Sequence, residues 1–334
     1  MCEPNITEGD IRAVTHAMRY GEISGEGKFV KIFEDKFAEY IGTKHAVAVS
    51  SGWAALFLSC WALVRGKTIV IPDITMIASA NAAKLAGAEI ILGEVDKDGM
   101  LDYGKVSGNP DYSMPVHLWG KTMPAREKSI EDCAEALGGH LQGRKAGSMG
   151  KVGCFSFYAN KHITTGEGGM ITTNDEALAQ ELRSLRSHYF GKEEKYIHPK
   201  LGFNLRMTSI QAALGISQLE RVDELVAIRQ ADAQYYFKEL AFLGDDLFAP
   251  EPLDGHAQWH YVVHTEKRDE LCEYLKNAKI ESRKYFTPLH RQPEFISTGD
   301  FKMADRLSAT GLLLPRTDDA GKKYVCDTIK QFFK

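Results

Sequence analysis

Short β-branched runs alternate with helical patterns between about residue 45 and residue 190. Segment 45–50 (HAVAVS) has the composition of a buried strand, and an apolar helical pattern follows it over residues 53–64. The same reading gives strands at 68–71, 89–95, 114–119, 154–158 and 170–173, and a helix at 78–86. Strands that alternate with helices predict an α/β fold, with a mostly parallel central sheet flanked by helices.

The pattern changes beyond about residue 208. Apolar residues recur at three- and four-residue spacing through 208–240, which predicts helical structure. A strand is then predicted at 259–263, a helix at 268–276, and a loop in KYFTPLHRQP. We therefore expect a large domain over 1–225 and a smaller C-terminal α+β domain over 226–334. The N-terminal segment could pack on the small domain.

Composition narrows the class of protein. The chain has 334 residues, 44% of them hydrophobic and 26% charged, which is a globular mix with room for about two domains. A net charge of −4 gives no basic excess, so we expect no nucleic-acid partner. No apolar run approaches the length of about 18 residues that spans a bilayer, so we expect no membrane partner. Six cysteines without a C-x-x-C pair predict free thiols and a cytoplasmic location.

A turn between strand and helix offers an anion site. Ser51 and Gly52 join the predicted strand 45–50 to the predicted helix 53–64. The first amides of a helix have no intrahelical acceptor, and the helix dipole favours a negative charge there. The turn is therefore a candidate phosphate cradle. The other reading is an ordinary strand–helix connection, in which Ser and Gly are common.

Asp132 and Lys161 are the two candidates for chemistry. Asp132 ends an apolar stretch. A carboxylate there can pair with the pyridine nitrogen of a cofactor, or it can simply cap a following helix. Glu135, three residues further on, has the spacing of a capping box. Lys161 ends a predicted strand that carries Ser156. A lysine held among apolar residues can have a lowered pKa and act as a nucleophile, although most lysines lie on solvated loops.

These segments, in this order, resemble the DegT/DnrJ/EryC1/StrS family of sugar aminotransferases, which are fold-type-I enzymes dependent on pyridoxal phosphate (PLP). The resemblance covers nearly the whole chain. Its most specific block is GCFSFYANKHITTGEGGMITTND, and other matching blocks are AVAVSSGWAAL, EDCAEALGG and GFNLRMTSIQAALG. The motifs around Asn160 and Glu135 are most similar to the branch that aminates C4 of a GDP-linked 4-keto-6-deoxy sugar.

The resemblance implies a role for each matching residue. Lys161 would be the Schiff-base lysine and proton shuttle, Asp132 would pair with the pyridine nitrogen, and Glu135 would lie near the ring hydroxyl. Asn204 would reach the phosphate from a second subunit, which implies a homodimer with shared active sites. The whole cofactor-binding set implied for PLP, or its amine form PMP, is Ser51, Gly52, Trp53, Met76, Asp132, Glu135, Ser156, Asn160, Lys161 and Asn204.

Two positions depart from the family's usual pattern. Trp53 stands where threonine is usual, so a hydroxyl contact is lost and a bulky ring is introduced, although the backbone amide remains. Met76 stands where an aromatic residue usually stacks on the cofactor, and a thioether can also pack on an aromatic ring. These changes bear on cofactor affinity and substrate fit.

The resemblance predicts transamination of a nucleotide-linked keto sugar, with L-glutamate as amino donor. Tentative substrate contacts are His117, His162, Arg206 and His290, and no metal site is expected. One alternative is a PLP-dependent sugar dehydratase, but in one such branch a histidine replaces the lysine that this chain keeps at position 161. The other alternative is a non-catalytic ligand-binding or regulatory protein on the same fold, which Trp53 and Met76 would favour.

Overall fold

A computed structural model describes residues 4–191, 194 and 196–334 of the chain. The helices are α1 (Glu8–Arg19), α2 (Lys28–Ile41), α3 (Gly52–Leu63), α4 (Ile77–Leu85), α5 (Glu176–Arg186), α6 (Ser209–Leu219), α7 (Val222–Leu240), α8 (Arg268–Asn277), α9 (Lys302–Thr310) and α10 (Asp319–Phe332). The strands are β1 (His45–Val49), β2 (Thr68–Pro72), β3 (Glu89–Gly93), β4 (Tyr112–Ser113), β5 (Ile130–Asp132), β6 (His140–Leu141), β7 (Arg144–Lys145), β8 (Val152–Ser156), β9 (Gly169–Thr173), β10 (Val262–His264), β11 (Arg283–Lys284) and β12 (Gly311–Leu313).

The central sheet consists of two hydrogen-bonded groups of strands. One has the order β3-β2-β4 and the other β5-β8-β9-β1. Parallel bridges from Ser113 to Ser129 and from Val116 to Asp132 connect β4 to β5. The pairings are parallel except for those of β9, which runs antiparallel to both β8 and β1. The α/β fold class expected from the sequence is therefore confirmed.

Successive side chains of β1 point to opposite faces of the sheet, and both faces are covered. Val47 and Val49 point into a core that includes residues of α3, α4 and α5, whereas Ala46 and Ala48 point into a second core that includes residues of α2 and α6. All four side chains are buried. A strand covered on both faces needs apolar residues at every position, which is the composition seen in HAVAV.

One local prediction was wrong. Residues 114–119 do not form a strand, because a short 3₁₀ turn occupies Leu118–Gly120 and Trp119 adopts a φ of 58°. The helical structure predicted over 208–240 is confirmed, and it consists of two helices with a break between Leu219 and Val222. The second helix begins after Arg221, whose ψ of 22° lies outside the helical range.

The C-terminal strands form a separate antiparallel sheet of order β10-β12-β11. Its core also takes residues from α7, α8 and α10, among them Tyr236, Leu271 and Ile329. Because α7 runs through residue 226, the boundary between domains at 225 and 226 stays a prediction. In the ranges that the structure describes, no helix combines the length and apolarity that crossing a membrane requires.

Candidate active site

Lys161 lies in the segment 157–168 that connects β8 to β9. Its backbone N–H donates to the Tyr158 carbonyl at 2.9 Å, which closes a tight turn directly after the strand. Its side chain is 13% exposed. The Nζ atom lies 3.7 Å from Oε1 of Glu135 and 3.8 Å from the centroid of the Trp259 ring. The amine is therefore held between a carboxyl group and an aromatic face.

Burial opposes charge on both members of this pair. It lowers the pKa of Lys161, and the charge of Arg229 adds to that effect, while Glu135 and Asp132 oppose it. Burial also raises the pKa of Glu135 to about 7, although Lys161 and a 2.8 Å hydrogen bond from the Trp119 amide act in the other direction. Burial therefore disfavours the charged form of both groups, and a lowered pKa makes more of the neutral, nucleophilic form of the Lys161 amine available at a given pH.

Asp132 lies at the end of β5 and is held at both oxygens. Its Oδ2 accepts a 2.8 Å hydrogen bond from the Ser79 hydroxyl, and its Oδ1 accepts one of 3.1 Å from the Ala134 amide. Ser79 lies on α4, which begins directly after Met76. The structure shows turns instead of a helix after Asp132, so the possible helix-capping role was wrong. Both contacts fix the plane of the carboxylate.

The candidate phosphate cradle brings two distant segments together. Ser51 is the N-cap of α3, and its hydroxyl accepts the Ala54 amide at 3.1 Å. A Cβ atom on Gly52 would lie 2.6 Å from Cβ of Ser156, and one on Gly169 would lie 2.3 Å from the Ser51 carbonyl oxygen. Only glycine allows so close an approach at these two positions. Ser51, Gly52 and Ser156 therefore share one narrow space at the start of α3.

The two departures from the family's pattern lie on helix starts. The Trp53 ring stacks on Phe57 one turn further along α3, with centroids 5.0 Å apart and planes 9° apart. Phe57 in turn contacts Phe203 edge-on at 5.0 Å. Met76 is the N-cap of α4 and is 49% exposed, and its sulfur accepts the Ala78 amide at 3.1 Å.

The loop that carries Asn204 and Arg206 runs beside the cradle. The Leu205 carbonyl accepts the Ser50 amide at 2.9 Å, and Arg206 forms a backbone bridge with Val49. Asn204 is exposed and forms a backbone bridge with Ser187. The guanidinium of Arg206 donates to the Ser187 hydroxyl at 3.0 Å.

Three histidines proposed as substrate contacts have partners inside the protein. His117 is fully buried; its Nδ1 accepts the Met123 amide at 3.2 Å and its Nε2 lies 3.0 Å from Glu131. His162 is also buried, which lowers its pKa far below the usual range, and its Nε2 is 3.1 Å from the Ala257 carbonyl. His290 contacts Asp73 at 2.7 Å. Direct contact of His117 or His162 with a substrate is therefore not supported by their placement.

One buried group in the described ranges has the residue types of a metal site. It consists of His117, Glu131 and Cys133, whose possible ligand atoms lie within 4.8 Å of one another. The Glu131 carboxylate already accepts the amides of Gly147, Met149 and Gly150 at 2.6–3.0 Å as well as contacting His117. These hydrogen bonds account for the cluster without an ion.

Two residues of this site gave no signal in the sequence. Arg229, on α7, is buried and donates to the backbone carbonyls of Asn160 and Lys161. Trp259 lies just before β10, and its Nε1 donates to the Asn160 carbonyl at 3.0 Å. Each is separated from Lys161 by more than sixty residues. Arg229 lies in the predicted helical stretch 208–240 and Trp259 begins the predicted strand 259–263, and these patterns predict secondary structure without marking a site. Their roles depend on tertiary packing.

The residues of the site fit PLP. The cofactor's aldehyde needs a neutral amine, its ring nitrogen an oriented carboxylate, and its phosphate the start of a helix; Lys161, Asp132 and the Ser51–Gly52 turn supply these groups. In addition, the side-chain oxygen of Asn160 is buried and has no hydrogen-bond partner among the described residues. A buried acceptor without a partner is costly, which a ligand with a donor would relieve.

Comparison with known proteins agrees with this geometry. Residues 4–332 match the model of the DegT/DnrJ/EryC1/StrS aminotransferase family. The chain is 41% identical over 321 residues to the GDP-perosamine synthase of Caulobacter vibrioides, covering 88% of this chain and 86% of that protein. It is 31% identical to the GDP-perosamine synthase of Vibrio cholerae, covering 99% and 98%.

The same fold is found in solved structures. The aminotransferase PseC of Helicobacter pylori, involved in the biosynthesis of pseudoaminic acid, superposes with a TM-score of 0.93 at 23% identity, covering 99% of this chain and 98% of that one. At this identity the likeness concerns the fold. Together with the family match over almost the whole chain, these findings show that the protein belongs to the DegT/DnrJ/EryC1/StrS family of PLP-dependent aminotransferases.

Proposed function

We propose that the chain transfers an amino group from L-glutamate to a nucleotide-linked 4-keto-6-deoxy sugar, giving a 4-amino-4,6-dideoxy sugar nucleotide, with GDP-perosamine as the most specific candidate product. The observation that carries this proposal is the 41% identity to a GDP-perosamine synthase over 88% of the chain. The Lys161–Glu135 pair supports it, because transamination needs an amine that can lose its proton, and the pKa of Lys161 is lowered by burial.

Each residue of the site has a proposed part. When bound, PLP supplies an electron sink that stabilises a carbanion next to the nitrogen. Lys161 holds the cofactor and moves a proton at its Nζ, and Asp132, oriented by Ser79, keeps the ring nitrogen protonated. Glu135 lies 3.7 Å from the amine and can share a proton with it. Ser51, Gly52, the Trp53 amide and Ser156 bind the phosphate.

We also propose that the active form is a homodimer. Asn204 is exposed on a loop whose backbone pairs with Ser187 and whose neighbour Leu205 pairs with Ser50. An exposed side-chain amide on a loop whose backbone is held by these pairings is suited to donate to a phosphate on another subunit. Such an arrangement would make both subunits necessary for a complete cofactor site.

The function is tested by supplying the full-length chain with PLP, ¹⁵N-glutamate and a GDP-linked 4-keto-6-deoxy sugar. We expect 2-oxoglutarate and a sugar nucleotide that carries ¹⁵N, formed with ping-pong kinetics. The UDP- and dTDP-linked sugars serve as controls for the nucleotide. A sugar product that has lost water and contains no ¹⁵N would indicate a dehydratase. Sugar binding without turnover, with PLP bound, would indicate a ligand-binding protein.

A further inference from the structure

We propose that Arg229 is a positioning residue that fixes the backbone of Lys161, and so the direction in which its amine points. This inference rests on the proposed role of Lys161. Arg229 is 4% exposed. Its Nη2 donates to the Lys161 carbonyl at 2.6 Å and to the Asn160 carbonyl at 3.2 Å, and its Nη1 donates to the Trp259 carbonyl at 3.1 Å.

The two carbonyls of this contact lie on either side of the Lys161 Cα atom. The Asn160 carbonyl belongs to the peptide plane before it, and the Lys161 carbonyl belongs to the plane after it. When both planes are fixed, φ and ψ of residue 161 are fixed, and so is the direction of its Cα–Cβ bond. The turn hydrogen bond from the Lys161 amide to Tyr158 adds a third restraint. A strand end followed by a loop would otherwise leave this direction loosely defined.

The same guanidinium also holds the aromatic face that contacts the amine. It binds the carbonyl of Trp259, and the indole N–H of Trp259 binds the Asn160 carbonyl at 3.0 Å. The Trp259 amide donates to the Trp119 carbonyl at 2.9 Å, and the Trp119 amide donates to Glu135 at 2.8 Å. The contacts thus close a ring from Lys161 through Trp259, Trp119 and Glu135 back to Lys161.

Only arginine matches this set of three acceptors. Its planar fork presents donors in several fixed directions, whereas a lysine at 229 would offer one compact ammonium group. The positive charge at 229 also acts on Lys161, together with Glu135 and Asp132. Arginine at this position therefore has two separable effects, one of geometry and one of charge.

Two variants separate these effects in the full-length chain. R229K keeps the charge and loses the fork, and R229Q loses the charge as well. The first measurement is competitive acetylation of the cofactor-free protein with acetic anhydride across pH, followed by mass spectrometry of the peptide that contains Lys161. The second is the rate at which the protein develops the absorbance of bound PLP. Arg268 is the matched control, because it is also buried and donates to two carbonyls, those of Ser308 and Gly311.

We expect the acetylation midpoint of Lys161 to rise in R229Q and to stay at the wild-type value in R229K. We expect both variants to acquire the PLP absorbance about tenfold more slowly than wild type, since a displacement of about 1 Å can cost up to a hundredfold in rate. R268K and R268Q should match the wild type in both measurements. If R229Q does not fold, the PLP rate of R229K alone decides.

The positioning role would be overturned if R229K acquired PLP at the wild-type rate, which would leave Arg229 as a packing residue. A wild-type acetylation midpoint in R229Q would overturn the charge effect of Arg229 on the Lys161 amine. A wild-type protein that never reacts with PLP through Lys161 would instead contradict the proposed function, and the acetylation midpoint would still test the charge effect of Arg229. W259F should react with PLP more slowly than wild type but faster than R229K, because it loses one of the bonds to Asn160 and keeps the fork.

Discussion

Glu131 and Glu135 lie four residues apart, both are buried, and each lies beside a basic side chain, yet their pKa values shift in opposite directions. Burial raises the pKa of both. For Glu131, hydrogen bonds from His117 and from the amides of Gly150 and Gly147 outweigh burial and hold the pKa below its usual value. For Glu135, burial prevails and the pKa is raised to about 7.

The difference lies in the number of donors. The Glu131 carboxylate accepts three backbone amides and contacts the His117 ring at 3.0 Å. Glu135 accepts one amide, from Trp119, and its nearest cation is 3.7 Å away. A carboxylate with a full set of donors is fixed in its charged form, whereas one with an incomplete set can exchange a proton near neutral pH. Glu131 therefore stabilises the fold, whereas Glu135 has the properties of a group that can exchange a proton.

Replacing Lys161 gives the largest expected effect. We expect Lys161→Ala to lower kcat for transamination on the order of 10⁶-fold, as removal of a covalent nucleophile does in other enzymes. The melting temperature should change little, because Glu135 can stay protonated and neutral when the lysine is removed. Lys151→Ala is the matched control, since Lys151 also follows a turn but pairs with Asp175 at 2.8 Å near the surface. Equal activity in both variants would remove Lys161 from the mechanism.

The second prediction compares the two carboxylates by stability. Glu131→Gln should lower the free energy of unfolding by about 3 kcal/mol or more, because an amide cannot accept from all of the donors that surround this position. At about pH 5, where Glu135 is protonated and therefore neutral like the amide, Glu135→Gln should change it by less than about 1 kcal/mol, since this side chain has one backbone donor to satisfy. Urea denaturation of the cofactor-free protein measures both. Equal losses would contradict the distinction between the two sites.

The third and smallest prediction concerns pH. The pKa of Glu135 is about 7 in the folded chain against 4.5 when unperturbed, so the folded state holds this proton over a range in which the unfolded state has released it. Glu135 therefore stabilises the cofactor-free protein below pH 4.5, and this contribution is lost as pH rises to about 7.

The difference in melting temperature between wild type and Glu135→Gln, measured from pH 5 to pH 8, should follow this window. The wild type should lose stability relative to the variant as pH rises, and the difference should level off above about pH 7. Parallel curves for the two proteins would show that Glu135 ionises at its ordinary pKa.

Local patterns were sufficient for the parts of the site that one segment builds. The strand and the helix around Ser51 and Gly52 could be predicted because alternation and turn residues are local signals. The strand before Lys161 could be predicted for the same reason. The assignment of PLP came from the family motifs and not from any one residue, since a lone lysine or aspartate has several ordinary explanations.

Contacts between distant segments could not be predicted. Arg229 and Trp259 reach Lys161 from α7 and from the start of the C-terminal sheet, and nothing local marks them. His117 was expected near a substrate but lies against Glu131 in the interior, because the fold and not the motif sets the direction of its ring. The wrong strand at 114–119 has a similar origin, since Trp119 adopts a left-handed conformation and forms its backbone hydrogen bonds with Glu135 and Trp259 instead of with a neighbouring strand.

The reversed direction of β9 has a consequence for the segment that carries Lys161. Two neighbouring parallel strands need a long crossover connection, whereas antiparallel neighbours can be joined directly. Because β8 and β9 pair from Ser156 with Gly169 onward, the segment 157–168 begins and ends at one point of the sheet. Between these two ends the segment is held from outside the sheet, by Arg229 and Trp259 at the Asn160 and Lys161 carbonyls. Lys161 therefore lies in an excursion from the sheet whose ends are joined by strand pairing and whose middle is anchored by the C-terminal half of the chain.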